Sequence, residues 1–167
     1  MSIILITGGA RSGKSLRAET RALAFPARPV YLATAEALDD EMAERIANHR
    51  ARRGNAWIER EVPLELVPAL IETDGGGARL VDCLTLWLSN LLHSERDWSQ
   101  AVARLAGALT RQRSPVVMVT NEVGLGIVPE NPLARAYRDA AGHMNRTMAE
   151  IADEVEFVVA GLPLKLK

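Results

Sequence analysis

The chain is short of cysteine, of net charge and of long apolar runs, and each shortage excludes something. Cys83 is the only cysteine among 167 residues, which rules out an internal disulfide and a cysteine-based metal site. It lies within Leu80-Val81-Asp82-Cys83-Leu84, where the expected role is that of a small buried hydrophobe. Twenty Lys and Arg against twenty-one Asp and Glu leave a formal charge of −1. That balance carries no broad electrostatic footprint for nucleic acid or an anionic membrane, so any positive surface has to be a local arginine cluster. No run approaches the length of a transmembrane helix. The first apolar stretch has no charged leader and is too short for a signal segment, so a cytoplasmic location is expected. Repeats, low-complexity tracts and linkers are lacking as well. Residues 1–167 read as a single domain, long enough for a full α/β core.

Apolar runs and helical stretches alternate from end to end, the pattern of a doubly wound, mostly parallel sheet flanked by helices. The spacing predicts strands at 3–7, 29–34, 79–83, 115–120 and 155–160, with a further strand at 162–166 after Gly161. Helices are predicted over 14–25, from Asp39 and Asp40 to about Arg53, over 63–72 behind Pro63, and over 84–93, 98–112 and 132–152. Acidic residues at 39 and 40 suit a helix N-terminus, and prolines 63 and 132 suit a first turn. Gly75-Gly76-Gly77 reads as a flexible turn rather than a domain boundary. Tryptophans 57, 87 and 98 read as packing residues.

The most specific signal is Gly8-Gly9-Ala10-Arg11-Ser12-Gly13-Lys14-Ser15, which follows directly on Ile3-Ile4-Leu5-Ile6-Thr7. It fits GxxxxGK[ST] between a buried strand and a helix, the context in which the motif has meaning. Its glycines let backbone N–H groups wrap closely around phosphate oxygens. Lys14 supplies a point charge to the β- and γ-phosphates, Ser15 a hydroxyl for Mg²⁺, and the helix opening near Lys14 its positive dipole end. The fold class that follows is the P-loop NTPase fold.

Ligands gather at the carboxyl ends of strands in open α/β sheets. Asp82, closing Arg79-Leu80-Val81-Asp82, is therefore the carboxylate expected to reach Mg²⁺, with capping of the 84–93 helix as its structural alternative. Glu122, in Thr120-Asn121-Glu122-Val123-Gly124-Leu125-Gly126, is the rival carboxylate. On the 39–53 helix, Met42, Ile46, His49 and Arg53 are spaced i, i+4, i+7 and i+11 and share a face. Arg45 stands four residues before His49, and Arg50, Arg52 and Arg53 follow it. Cationic neighbours keep an imidazole neutral and nucleophilic near pH 7, and guanidiniums grip phosphates bidentately. This chemistry permits a phosphohistidine or nucleotidyl-histidine intermediate without demanding one.

Several blocks together resemble the bifunctional adenosylcobinamide kinase/adenosylcobinamide-phosphate guanylyltransferase family. They are residues 8–15, Tyr31-Leu32-Ala33-Thr34-Ala35, Asp39-Asp40-Glu41-Met42 with Arg45-Ile46 and His49, and Val119 through Asn131 with its Gly124-Leu125-Gly126-Ile127-Val128-Pro129 centre. The closing Ala152-Asp153-Glu154-Val155 and Val159-Ala160-Gly161-Leu162-Pro163 fit too, so the resemblance spans the whole chain. One departure is Asp82, where an acidic residue that is often Glu is expected.

The resemblance implies that the aminopropanol hydroxyl of adenosylcobinamide is phosphorylated by ATP or GTP. GTP then guanylylates adenosylcobinamide phosphate, releasing pyrophosphate and giving adenosylcobinamide-GDP. It further implies that His49 carries GMP. Residues expected to contact the nucleotide are Gly8, Gly9, Ala10, Arg11, Ser12, Gly13, Lys14, Ser15, Ala33, Thr34, Ala35, Arg50, Ala51, Arg52, Arg53, Glu61 and Asp82. A homotrimer is implied as well. Two other readings fit the phosphate loop: a small-metabolite kinase in which His49 is idle, and a GTP-hydrolysing regulatory switch. The chain carries no [NT]KxD guanine motif for the second, since Asn121 is followed by Glu122, Val123 and Gly124.

Overall fold

In the first strand, β1 (Ile3–Gly8), Ile3 and Leu5 enter one hydrophobic cluster while Ile4 and Ile6 enter another. Successive side chains point to opposite faces of a sheet, so a run apolar at every position marks a strand covered on both sides. The computed structural model describes residues 1–37 and 39–167, apart from the side chains of Glu41, Arg45 and Arg52.

Along the chain β1 is followed by α1 (Lys14–Leu23), β2 (Val30–Ala33), α2 (Asp40–Arg53), β3 (Ile58–Glu61) and α3 (Leu66–Glu72). Next come β4 (Arg79–Asp82), α4 (Leu84–His93), α5 (Trp98–Leu109), β5 (Val116–Val119), α6 (Pro132–Ile151), β6 (Glu154–Val159) and β7 (Leu162–Lys165). Among the described residues these strands form one sheet in the order β3-β2-β4-β5-β1-β6-β7. All neighbours run parallel except β6 and β7, which form an antiparallel hairpin. The larger cluster lies under α3, α4, α5 and α6, with Leu66, Leu84, Leu88, Leu105 and Met144 buried. The smaller one holds Ala18 and Ala22 of α1 against Leu80, Val117 and Val119. The loop after β1 and the ends of β2, β4 and β5 thus come together on one edge of the sheet.

The expected doubly wound α/β arrangement is present, with three local differences. β3 is a strand that the sequence pattern did not predict. The helix expected from Pro63 begins at Leu66 and carries Pro68 in its first turn, where no intrahelical N–H is needed. The glycine triplet is a pinned turn rather than a flexible one. Asp74 accepts hydrogen bonds from the backbone N–H groups of Arg113 (3.0 and 3.1 Å) and Ser114 (3.0 Å). The Ser114 hydroxyl accepts from Gly75 N (3.0 Å) and donates to Gly76 O (3.1 Å). A Cβ at Gly77 would lie 2.2 Å from the Arg28 carbonyl oxygen, so only glycine fits. Beneath the turn Arg79, fully buried, pairs with Asp74 at 3.2 Å and donates to Gln112 at 2.5 Å.

Candidate active site

The loop Gly8–Gly13 leads from β1 into α1, and Gly13 turns the corner with φ of +96°, a conformation that side chains with a Cβ seldom adopt. Lys14 opens α1, is buried, and donates from Nζ to Gly9 O at 2.9 Å. The helix is held at a fixed height by ion pairs to β6. Arg17 Nε meets Glu156 at 2.7 Å and Arg21 Nη2 meets Glu154 at 2.8 Å. Arg21 also reaches Glu156 at 2.5 Å. The guanidiniums hold the carboxyls of Glu156 and Glu154 below the usual range, against the opposing effect of burial.

Lys14 and Ser15 form one wall of a cavity of about 130 Å³, whose other walls come from β2, α2, and the ends of β4 and β5. Tyr31 and Ala33, two apart on β2, both line it. The Tyr31 hydroxyl donates a short hydrogen bond to Asp82 Oδ2. Burial, then the charge of Asp82, push loss of the phenol proton far above its ordinary range. The Tyr31 ring packs edge-on against Trp57 with centroids 5.5 Å apart. The Arg53 guanidinium lies over the same ring, 3.6 Å from its centroid, in cation–π geometry.

Asp39 caps α2, accepting from Met42 N at 2.7 Å. The face predicted from the sequence is the one turned inward: Met42, Ile46, His49 and Arg53 all line the cavity. The C-terminal end of α2 is clamped to β3. Arg53 donates to Glu59 Oε1 at 2.7 and 3.1 Å, and Arg50 to Glu59 Oε2 at 2.7 Å and Glu61 at 3.1 Å. Burial would raise the Glu59 carboxyl, but the two arginines outweigh it and the net shift is downward.

Behind Asp82 a polar lattice fixes the strand ends. The buried Thr34 hydroxyl donates to Cys83 O (2.8 Å) and accepts from Cys83 N (2.7 Å). Asn90 donates to Thr34 O (2.8 Å) and Pro63 O (3.0 Å). Asn121 donates to Thr85 Oγ1 (2.9 Å), and Asn145 to Asn121 O (3.0 Å). The Cys83 thiol is buried, and burial pushes its pKa up, the inert behaviour of a packed cysteine.

Of the residues expected to act, Lys14, Ser15, Ala33, Ala35, His49, Arg53 and Asp82 meet in this one cavity. Thr34 is not part of the lining: fully buried, it stands behind Cys83 through the bonds above. Ala10 and Arg11 are exposed at the loop's outer turn, and Arg50, Ala51 and Glu61 are exposed outside the lining. The side chains of Arg45 and Arg52 lie outside the described residues. Glu122 is absent from the lining, and its carboxylate accepts from Gly124 N at 2.7 Å. Sequence reasoning did not single out Tyr31, Cys83, Leu86, Val119 or Asn121 as site residues. The alternation placing Tyr31 on the same face as Ala33 was the signal for the first.

Among the described residues no three His, Cys, Asp or Glu side chains converge as a metal cage. Two oxygen donors, Ser15 and Asp82, stand beside Lys14 instead. That set suits a hard cation held jointly with nucleotide phosphates.

Comparison with known proteins agrees. The family model for cobinamide kinase/cobinamide phosphate guanyltransferase matches residues 4–166. The bifunctional adenosylcobalamin biosynthesis protein CobP of Pseudomonas aeruginosa is 46% identical, covering 98% of this chain and 96% of its own. The corresponding CobU protein of Salmonella typhimurium is 42% identical over 99% of both chains. Solved structures share the fold at much lower identity. The flagellar accessory protein FlaH of Methanocaldococcus jannaschii has a TM-score of 0.56 at 16% identity, over 99% of this chain and 78% of that one. An ATPase of a bacterial type III secretion system gives 0.58 at 12%, over 98% and 56%. A P-loop nucleotide-binding domain matched from strand β1 to the terminal hairpin places this chain in the cobinamide kinase/cobinamide phosphate guanyltransferase family.

Proposed function

We propose that one cavity performs both reactions on adenosylcobinamide, with His49 as the covalent carrier of GMP. The observation that carries this reading is that His49 lines the same cavity as Lys14, Ser15 and Asp82. In the first reaction the aminopropanol hydroxyl attacks the γ-phosphorus of ATP or GTP, and the nucleoside diphosphate leaves. Lys14 then faces the charge that develops on the transferred phosphoryl group. In the second, an imidazole nitrogen of His49 attacks the α-phosphorus of GTP and expels pyrophosphate. A phosphate oxygen of adenosylcobinamide phosphate next attacks the same phosphorus, the P–N bond breaks, and adenosylcobinamide-GDP is released. Ser15 and Asp82 would hold Mg²⁺, which when bound supplies positive charge to the phosphates.

The glycine-rich loop 8–15, Ala33, Thr34, Ala35 and Arg53 hold the nucleotide in this reading, and the family resemblance adds Arg50, Ala51, Arg52 and Glu61. Arg50 and Arg53 are at present engaged by Glu59, so their part is to fix the helix that carries His49 as well as to meet phosphate. A homotrimer belongs to the same reading. Val159, Leu162, Leu164 and Leu166, exposed on and beside β7, form an apolar strip that assembly would cover.

The test is labelling with GTP marked at the α-phosphate, followed by denaturation in alkali, where a P–N bond survives. Wild type should retain label and His49→Asn should not, while phosphorylation of adenosylcobinamide by His49→Asn stays within about tenfold of wild type. Equal label in both proteins, or no label in a wild type that still makes the corrinoid-GDP product, would remove His49 from the role.

A further inference from the structure

The cavity beside Lys14, at about 130 Å³, is small against the roughly 300–1,000 Å³ of ordinary small-molecule sites. A corrin macrocycle has to lie largely outside it. The cavity does have a continuation. Ala35, Met42 and Leu86 are walls shared by this cavity and a second hollow of about 210 Å³, which Asp39 and Ser89 also line. Ser89 and His93 are in turn shared by that hollow and a third of about 360 Å³, bounded by Leu133 and Tyr137. The three adjoin in sequence, from the phosphate loop along α4 to the start of α6.

The walls change character along this path. Leu86, Leu133 and Tyr137 offer apolar surface, and Leu133 is 70% exposed at the N-terminal turn of α6. His93 Nδ1 lies 2.8 Å from the Ser89 carbonyl oxygen. A carbonyl can only accept, so Nδ1 carries the proton and donates. In the neutral ring Nε2 is then left as an acceptor. Asn131 fixes the far end by capping α6, accepting from Leu133 N at 2.8 Å. Tyr137 ties α6 to α4 by donating to Thr85 O at 3.0 Å.

We propose that this groove seats the corrinoid acceptor: the macrocycle lies along α4 and the first turn of α6, and the aminopropanol arm passes between Ala35, Met42 and Leu86 to reach Lys14 and His49. The inference rests on the functional reading above. A corrinoid is a flat macrocycle with apolar faces and a fringe of side-chain amides. The leucines and Tyr137 meet the faces, and His93 Nε2 accepts from an amide N–H. The groove's union with the reaction cavity distinguishes this occupant from a separate partner, because only a substrate needs both at once.

The experiment measures KM for adenosylcobinamide and for the nucleotide, with the assembly state, for wild type and three variants of the full chain. Ser89→Trp narrows the groove and His93→Ala removes the acceptor. His93→Gln keeps an acceptor and should recover most of what His93→Ala loses. The corrinoid KM should rise at least tenfold in Ser89→Trp and three- to tenfold in His93→Ala, with the nucleotide KM within twofold and kcat at saturating corrinoid largely kept. An unchanged corrinoid KM in Ser89→Trp and His93→Ala would overturn the groove. So would changes that follow loss of an oligomer, which would make this face an interface between copies. A wild type that phosphorylates no corrinoid would instead overturn the functional reading.

Discussion

Replacing Tyr31 with phenylalanine removes one oxygen and keeps everything else the ring does. The Arg53 guanidinium, 3.6 Å above the ring, and the edge of Trp57 lose nothing. What disappears is the donor to Asp82. A hydrogen bond to a charged group is worth about 1.5–3 kcal/mol when buried, and Tyr31 is 3% exposed. For a protein of this length each kcal/mol moves Tm by roughly 2–4 °C. The nucleotide-free variant should therefore melt about 3–12 °C below wild type. If Asp82 holds Mg²⁺ as proposed, saturating Mg²⁺ and GTP give the carboxylate a cation in place of the phenol, and the gap should close by at least half. Thermal melts of both proteins with and without Mg²⁺-GTP read this directly. A double-mutant cycle with Asp82→Asn should show a coupling of at least about 1 kcal/mol, well beyond the few tenths expected of independent sites. Additive effects, or a gap that Mg²⁺-GTP leaves untouched, would refute the claim that the phenol serves the carboxylate.

Lys14→Ala should lower both activities at least a hundredfold with the fold retained, the scale of removing one preorganised charge from a transition state; near-normal kinase turnover in the folded variant would contradict this. Asp82→Asn should raise the Mg²⁺ concentration giving half-maximal rate, whereas Glu122→Gln, whose side chain caps its own turn, should not; the reverse pattern would reassign the carboxylate. Acid stability should report Asp74, which is held at about 2 from an ordinary 3.8. Burial by itself would raise this carboxyl, but the N–H groups of Ser114 and Arg113, the Arg113 side chain and the charge of Arg79 prevail. A depressed carboxyl stabilises fully above its unfolded pKa and loses that contribution as pH falls through the folded one. Asp74→Asn should thus cost about 2.5 kcal/mol near neutrality at 1.36 kcal/mol per pKa unit, with the difference from wild type shrinking between pH 4 and pH 2. A difference independent of pH in urea titrations would contradict that account.

The inner strands were legible because both faces are buried. Ile3 to Ile6 and Val116 to Val119 need no alternation to be recognised, since every position faces a cluster. β3 was not legible for the opposite reason. Ile58-Glu59-Arg60-Glu61 is a mostly polar edge strand whose glutamates pair with arginines on the preceding helix α2, and a strand held by ion pairs shows no apolar period. The glycine triplet misled similarly: composition suggested freedom, while Ser114, 39 residues beyond Gly75, and the bonds from Arg113 to the adjoining Asp74 remove it. At the site, the stripe Met42, Ile46, His49 and Arg53 was readable from helical spacing alone. The Tyr31 bond to Asp82 was not, because it joins β2 to β4 and depends on register: Tyr31 pairs with Leu80, leaving its side chain to reach the strand end two residues on.

The terminal hairpin bears on the phosphate loop at the other end of the chain. The turn between β6 and β7 donates Gly161 N–H to Ser12 O at 2.9 Å, and Gly161 Cα stands 3.2 Å from where a Gly13 Cβ would be. The loop is therefore braced from behind before any nucleotide arrives, and its ordering entropy is met during folding rather than during binding. Stiffness in the anion cradle thus comes from residues some 150 positions away. Loosening the last strand would act as an affinity mutation at the first, with no catalytic or ligand-contacting group altered.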